Sequence, residues 1–486
     1  MNALKKLIGH TAIYGLSSIL GRMLNYALVP FHTYIFGTHD YGILTEIYAY
    51  IAFFNVLFTF GMETTFFRFA SRDPQSSSSF FSTCFWIIAI IIVGIGIPLF
   101  LGADQIAVSL GYPNDGHIIR WVLGIISIDA LVALPFAKLR LQNRGLRFAT
   151  LKVVNIMINV SLNVFFLWLL PTVNQALYNP ELGVGYVFLA NLLANGLYIL
   201  FFVKDFTSVT LQLSKSRFVK ILKYAGPLVI LGFAGITNEM FSRLALKHIL
   251  PETFYPDHSN DEILGIFGAC YKLTIFMTLA IQAFKYAFEP FFFNQAENKN
   301  SKEALALVMN GFIIIGGMAW IGITMMVPEL ANFFLQQKAY HEGLEIVPIL
   351  LGSGLMMGIF YNLSAWYKLT DNTKYGAAIS IVGAIFTVVL NFQLIPHLGY
   401  SGSAWASFIT FSLMVIMSAV WGRKHYPIPY YWISAIFYLL LSGASTLLIN
   451  YQETMLFRYL TGSICIISFL TIAFFIEKRH IASQKI

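Results

Sequence analysis

Apolar runs of about 20 residues recur along nearly the whole chain, parted by short polar stretches. About fourteen can be marked, near 9–36, 41–67, 79–103, 117–137, 148–171, 183–203, 224–247, 262–284, 303–327, 343–367, 375–395, 400–421, 429–449 and 457–476. A helix of that length spans the roughly 30 Å hydrocarbon layer of a bilayer. Backbone polar groups in lipid must be satisfied inside the spanning segment, which leaves helices or closed barrels. Ten-residue stretches of strict alternation are absent from the sequence, so an outer-membrane barrel is excluded. The pattern predicts an all-α polytopic membrane protein with about 14 transmembrane helices.

Composition agrees. Of 486 residues, 57% are hydrophobic and only 11% charged, where soluble domains carry about 25% charged residues. The opening MNALKKLIGH has the basic start of a secretory signal, but the apolar run after it is too long and lacks an A-x-A site. It reads as a retained first helix. Cys84, Cys270 and Cys465 fall far apart inside separate apolar runs, which suits core packing rather than a disulfide framework or metal cluster. The ten His show no H-E-x-x-H spacing, so no metal and no cofactor is expected.

The formal charge of +8 does not point to nucleic acid, because the basic residues are unevenly placed. If the N-terminus lies in the cytoplasm, most of the 31 Lys and Arg fall in inside loops, including Lys138, Arg140, Arg144 and Arg147, then Lys204, Lys215, Arg217, Lys220 and Lys223. The positive-inside rule therefore places both termini in the cytoplasm. The acidic, turn-rich loop PETFYPDHSNDE (251–262) falls outside. The basic stretch DFTSVTLQLSKSRFVK before the seventh span reads as an amphipathic connector on the membrane surface.

The chain also repeats itself. Gly42, Ile43 and Tyr48 of the second run match Gly265, Ile266 and Tyr271 of the eighth. Leu162-Asn163 followed by Pro171 matches Leu390-Asn391 followed by Pro396. Helices 1–6 thus repeat as 7–12. The predicted organisation is an N-terminal lobe (1–203), a cytoplasmic connector (204–223), a C-terminal lobe (224–425), and a last helix pair with a cytoplasmic tail (426–486). Parallel repeats place a substrate site between the halves.

Arg22 is the most informative single residue. It sits near the middle of the first run, where a charge costs about 2.5–3.5 kcal/mol on insertion scales. Such residues face a bundle interior or a wet cavity, and a guanidinium suits bidentate phosphate recognition. The expected cargo is anionic.

The segments YGLSSILGRMLNYALVP, HDYGILTEIYAY, KYAGPLVILGFAG, LGIFGACYKLTIF and LGYSGSAWASF together resemble bacterial Wzx-type oligosaccharide flippases. These belong to the multidrug/oligosaccharidyl-lipid/polysaccharide (MOP) exporter superfamily. The resemblance covers essentially the whole chain and is spread over many helices. It implies a V-shaped, MATE-like arrangement of two six-helix lobes plus two C-terminal helices, in the bacterial inner membrane. It implies translocation of undecaprenyl-pyrophosphate-linked oligosaccharide from the inner to the outer leaflet, with a polysaccharide polymerase as a partner. In related lipid II flippases the last two helices form a groove for the lipid tail.

Other charges lie inside predicted spans. Glu239, Arg243 and Lys247 are spaced i, i+4, i+8 and share one helical face. Either this stripe lines the cavity, with Arg243 and Lys272 joining Arg22 on the pyrophosphate, or Glu239 and Arg243 form a structural pair while Lys247 reaches the outer interface. Asp129 is near mid-helix; it is a candidate to pair with Arg22 or to bind a coupling H⁺ or Na⁺. Glu46 is either an interfacial carboxylate or a functional one. No G-x-x-x-x-G-K-[ST] loop is present, so transport would draw on an ion gradient, the membrane potential or product consumption. The readings that compete are an ion-coupled drug or cation antiporter, a lipid II flippase, and a membrane polysaccharide polymerase or ligase. The last is disfavoured by short outside loops with no acid/base cluster.

The orientation is directly measurable. In a background lacking the three native cysteines, an impermeant thiol reagent added to intact cells should label Ser259→Cys and spare Ser214→Cys. The reverse pattern would overturn the assignment.

Overall fold

The computed structural model describes residues 21, 23–211, 214–295 and 301–483. Among these residues every regular element is helical and none is a strand. Among the described residues ten helices are long and apolar enough to cross a membrane, and Asn260–Lys272 with Ile275–Lys285, bent by 48° at their junction, make an eleventh if counted as one span. Gly185–Phe201 is a shorter apolar helix. Residues 9–20 and 22 of the expected first span, near 9–36, lie outside the described residues.

One of the ten, Thr373–His425, is 53 residues long, far more than a bilayer needs. It is two helices joined at Gly399, whose φ of 57° and ψ of −137° only glycine adopts freely. The two halves run antiparallel. The Thr387 and Thr410 hydroxyl oxygens are 3.4 Å apart, Gly383 faces Met414, and Gly402 lies against the backbone of Leu394. The turn is covered by Tyr255, whose ring stacks on Tyr400 with centroids 5.3 Å apart.

Breaks elsewhere have the same kind of cause. Ile92–Gly96 and Phe165–Leu169 are π-helical. Pro98 and Pro171 follow, and a proline ring clashes with the carbonyl four residues back, here Gly94 and Leu167, so the helix widens there.

The chain divides into two compact units, residues 1–28 with 43–236 and residues 29–42 with 237–486. In the first, Gly116–Leu141 is central and packs against Gly185–Phe201 and Met62–Arg72. Phe136 anchors it, its ring meeting Phe148, Tyr198 and Phe202 edge-on at 5.0–5.2 Å. The expected connector is tied down: the Trp86 indole donates to the Thr210 carbonyl at 3.0 Å, and the Thr210 N–H donates to the Ser82 hydroxyl at 3.1 Å. Lys215–Ile249 is one helix, so residues 215–223 form its first turns rather than a separate surface helix. Phe218, Ile221 and Leu222 continue the apolar spacing of the span, which makes that continuation favourable.

In the second unit, Val347–Leu363 is central and packs against 373–425 and against Ser301–Met325. Trp432–Asn450 and Met455–Ser483 pack on Ser301–Met325. Glu477 receives the Asn310 amide at 2.6 Å and the Tyr438 hydroxyl at 2.8 Å. Arg458 is buried and donates to the carbonyls of Thr324 (2.7 Å) and Met325 (3.3 Å), capping that helix's C-terminus. The outer faces stay apolar: Ile433, Leu440 and Leu447 are 89%, 68% and 72% exposed. Lipid-facing and core-facing residues are equally hydrophobic here, so hydropathy alone does not separate the two faces.

The matched sequence positions behave alike. Asn163 and Asn391 are both fully buried, and each donates its amide to the carbonyl four residues back, Asn159 at 2.8 Å and Thr387 at 2.7 Å. Gly42 and Gly265 both sit where Thr38–Gly42 meets Asn260–Lys272. A Cβ on Gly42 would strike the Asp261 carbonyl, and one on Gly265 the Thr38 carbonyl. Ser259 forms a capping box with Glu262 at the start of this helix, so exposed Asp257 is the better cysteine site for topology labelling.

Gly265→Ala should therefore lose about 1–3 kcal/mol through overpacking against backbone, read as a lower melting temperature in detergent. Gly311 sits in a helix where an added Cβ would meet nothing within 4 Å, and Gly311→Ala should gain about 0.5–1 kcal/mol. Equal effects at the two sites would show that the close approach is not what holds these helices.

Candidate functional site

Arg243 lies on Lys215–Ile249, and Lys272 ends Asn260–Lys272. The second unit brings them within electrostatic reach of each other. Arg243 is buried. Its Nη1 donates to the Glu239 carbonyl at 3.0 Å and touches the Met240 sulfur, and the guanidinium carbon stands 4.3 Å from the centroid of the Tyr271 ring. That cation–π contact offsets part of its desolvation. Lys272 is in the last turn before the 48° bend, where the helix dipole favours a cation. Thr274 follows it, donating its hydroxyl to the Tyr271 carbonyl at 2.8 Å.

The three residues of the i, i+4, i+8 stripe have different surroundings. Arg243 joins Lys272. Glu239 contributes its backbone carbonyl to Arg243 and has an exposed side chain. Lys247 pairs with Asp261 at 3.0 Å, with both side chains largely covered. That pair is structural: it ties the end of one helix to the start of the next.

Beside Arg243 runs a buried polar lattice that charge-based reading missed. Thr387 donates to the Asn238 carbonyl oxygen at 3.0 Å, Asn238 to the Ser380 carbonyl at 3.1 Å, and Asn391 to the Ser242 hydroxyl at 3.1 Å. Ser242 and Ser407 oxygens are 3.4 Å apart. Oδ1 of Asn391 has no protein partner among the described residues. The signal was present as Asn238/Ser242, Thr387/Asn391 and Ser403/Ser407, all i, i+4 pairs inside apolar runs.

The first unit has its own buried polar group. Asp129 accepts from Asn195 at 2.9 Å, and Asn195 in turn accepts from Asn155 at 3.0 Å. Lys152 acts electrostatically on Asp129, and its ammonium stands 4.3 Å from the Phe136 ring centroid. Asp129 thus has local partners in Asn195 and Lys152. Lys152, Asn155, Asn159 and Asn163 recur at helical spacing on Gly145–Val164, a polar stripe that marks the face turned to Asp129. Glu46 is fully buried and accepts from the Tyr112 hydroxyl at 2.6 Å, fastening a helix to the 110–115 loop. Glu63 pairs with Arg140. Arg22 lies outside the described residues.

Among the described residues no group of three or more His, Cys, Asp or Glu is arranged to hold a metal.

A helical bundle of this architecture, with cations inside an apolar chain, defines a multi-pass membrane protein of the MOP-superfamily fold. It is similar to the structure of the lipid II flippase MurJ in an inward closed conformation, at TM-score 0.71 and 14% identity over 94% of this chain and 98% of that one. It is also similar to a multidrug resistance MATE family transporter in an inward-facing conformation (TM-score 0.64, 14% identity, 85% and 94% covered). A third likeness is to a MOP superfamily transporter from Pyrococcus furiosus (TM-score 0.58, 14% identity, 86% and 95% covered). No curated protein matches the sequence. The chain belongs to the family described as polysaccharide biosynthesis protein, which matches residues 7–295.

Because Tyr112 hydrogen-bonds a buried carboxyl group, Tyr112→Phe should cost about 1.5–3 kcal/mol. Thermal unfolding of the purified protein in detergent checks this; an unchanged transition would show that Glu46 does not depend on the tether.

Proposed function

We propose that the protein is a flippase, moving undecaprenyl-pyrophosphate-linked oligosaccharide from the inner to the outer leaflet of a bacterial inner membrane for surface polysaccharide synthesis. The observation that carries this reading is the pair Arg243 and Lys272, held beside Tyr271 at the break of a bent membrane span. Two cations brought together inside an apolar bundle create a potential that attracts an anion. Broken spans are where transporters expose helix ends and place substrate sites. A pyrophosphate supplies the anion, and the family membership supplies the sugar context.

In this reading the head group is held by Arg243 and Lys272, with Arg22 as a third cation. The sugars follow into a water-filled space, and the polyprenyl tail stays in lipid along 432–483. Alternating access then exposes the site to the other side. Asp129, with Lys152 and Asn195 around it, is the candidate for a coupling H⁺ or Na⁺; Glu46 and Glu239 are secondary candidates. The fourteen-span count, the two six-helix lobes, cytoplasmic termini and a polymerase partner belong to the same proposal. Lipid II flippase activity is the second reading, because it presents the same pyrophosphate to the same cations and the MurJ likeness favours it.

Cells lacking the protein should keep lipid-linked oligosaccharide on the inner leaflet and lose surface polysaccharide, while polymerisation of sugars supplied outside continues. Arg243→Ala and Lys272→Ala should each cut surface polysaccharide at least about tenfold at normal expression, the loss expected for one charge-assisted hydrogen bond. Arg243→Lys should keep part of it, since the charge survives without the fork. Normal export by both alanine variants would remove the site from the transport path. Restored growth of cells depleted of their lipid II flippase would favour the second reading.

A further inference from the structure

Away from Arg243 and Lys272, the end of 373–425 and the start of Trp432–Asn450 form an open cavity of about 570 Å³ lined by Arg423, Pro427, Pro429, Tyr430, Trp432 and Ile433 among others. A smaller cavity adjoins it, sharing Arg423, Ile428, Tyr430 and Trp432 and reaching Trp366 and Tyr426. The linking segment YPIPYY is stiff. Two prolines fix their own φ, the Tyr430 N–H donates to the Ile428 carbonyl at 2.8 Å, and the Trp432 N–H to the Tyr430 carbonyl at 3.0 Å. The cavity is therefore preformed, and a ligand entering it would order little chain.

Its chemistry is lopsided. Arg423 is the charged residue of the wall, and Lys302 stands 4.5 Å from the ring centroid of Tyr426 in the adjoining cavity. No carboxylate lines either cavity among the described residues. The Tyr430 hydroxyl is buried without a hydrogen-bond partner among the described residues. Burial raises its pKa, so it remains an O–H donor. A cation in the wall, with an unused donor just beneath it, calls for an anion. The rest of the wall is proline, isoleucine and aromatic rings, which a soluble phosphate would leave unused.

The cavity also opens onto an apolar track. Ile433 is in its wall, and Ile433, Phe437, Leu440 and Leu447 lie at helical spacing on the exposed face of Trp432–Asn450. Loop charge assigns this end of the helices to the cytoplasmic side, where anionic lipids and basic residues meet. We propose that the cavity binds one anionic phospholipid of the bilayer, its phosphate between Arg423 and the Tyr430 hydroxyl and its acyl chains along the row from Ile433. The cavity is separate from the proposed pyrophosphate cluster, and only its acyl track shares Trp432–Asn450 with the path proposed for the polyprenyl tail. Bound there, the lipid would brace the segment joining 373–425 to the last two helices.

Native mass spectrometry of the purified full-length protein tests this with phosphatidylglycerol, phosphatidylcholine and undecaprenyl phosphate as probes. One phosphatidylglycerol should be retained in preference to phosphatidylcholine. Arg423→Gln should weaken its retention about fivefold, the equivalent of about 1 kcal/mol for one cation near a lipid surface. Tyr430→Phe should weaken it several-fold while leaving lipid-free melting unchanged, which separates loss of the site from loss of fold. Undiminished retention by both variants overturns the proposal. So does equal binding of phosphatidylcholine, which would mean an aromatic choline cage. Displacement of phosphatidylglycerol by equimolar undecaprenyl phosphate overturns it as well, since the cavity would then serve the carrier lipid.

Discussion

The hydrocarbon core of a membrane offers no hydrogen bonds, and most of this architecture follows from that one constraint. Every N–H and C=O must be paired within its own helix or by a neighbouring side chain. Helices are the result, and their ends and breaks are the exposed points. The chain deals with each by a local device: a π-turn ahead of Pro98 and Pro171, a glycine at 399 where the chain reverses, a guanidinium from Arg458 on the carbonyls of Thr324 and Met325. Buried Asn163 and Asn391 follow the same rule by bonding their own helix.

Against that background the polar residues sort by how they are compensated. Lys247 with Asp261, Glu63 with Arg140 and Glu477 with Asn310 and Tyr438 have opposite or hydrogen-bonding partners that hold elements together. Arg243 and Lys272 are like charges within electrostatic reach of each other, and the Tyr271 ring face offsets part of the cost of burying Arg243.

The helical class was plain from hydropathy, since twenty-residue apolar runs have one solution in lipid. Span limits were nearly as legible; Gly116–Leu141 and Trp432–Asn450 fall within a few residues of the runs that announced them. The site was legible only where a full charge stood out. Arg243 and Lys272 were visible, and so was Asp129, whereas its partners Lys152, Asn155 and Asn195 were not. Nor were Asn238, Ser242, Thr387 and Asn391, because neutral polar residues hardly lower a twenty-residue average. Pairing was out of reach for another reason. Whether Lys247 lines a cavity or meets Asp261 depends on where the 251–259 loop delivers the next helix, and that is fixed by tertiary packing rather than by spacing.

The cap on Ser301–Met325 has a consequence for how the chain is made. Arg458 is 133 residues downstream of Met325, whose carbonyl it satisfies. At a synthesis rate of about 5–20 residues per second, that carbonyl waits roughly 7–27 s for its donor. Glu477, which receives Asn310, emerges later still. Through that interval the ninth expected span has an incomplete end, and its cap arrives only with a helix made much later. A nascent chain cut short before Arg458 would thus carry a defect in a helix it had already finished, giving quality-control proteases a means to recognise incomplete copies by a helix far from the truncation.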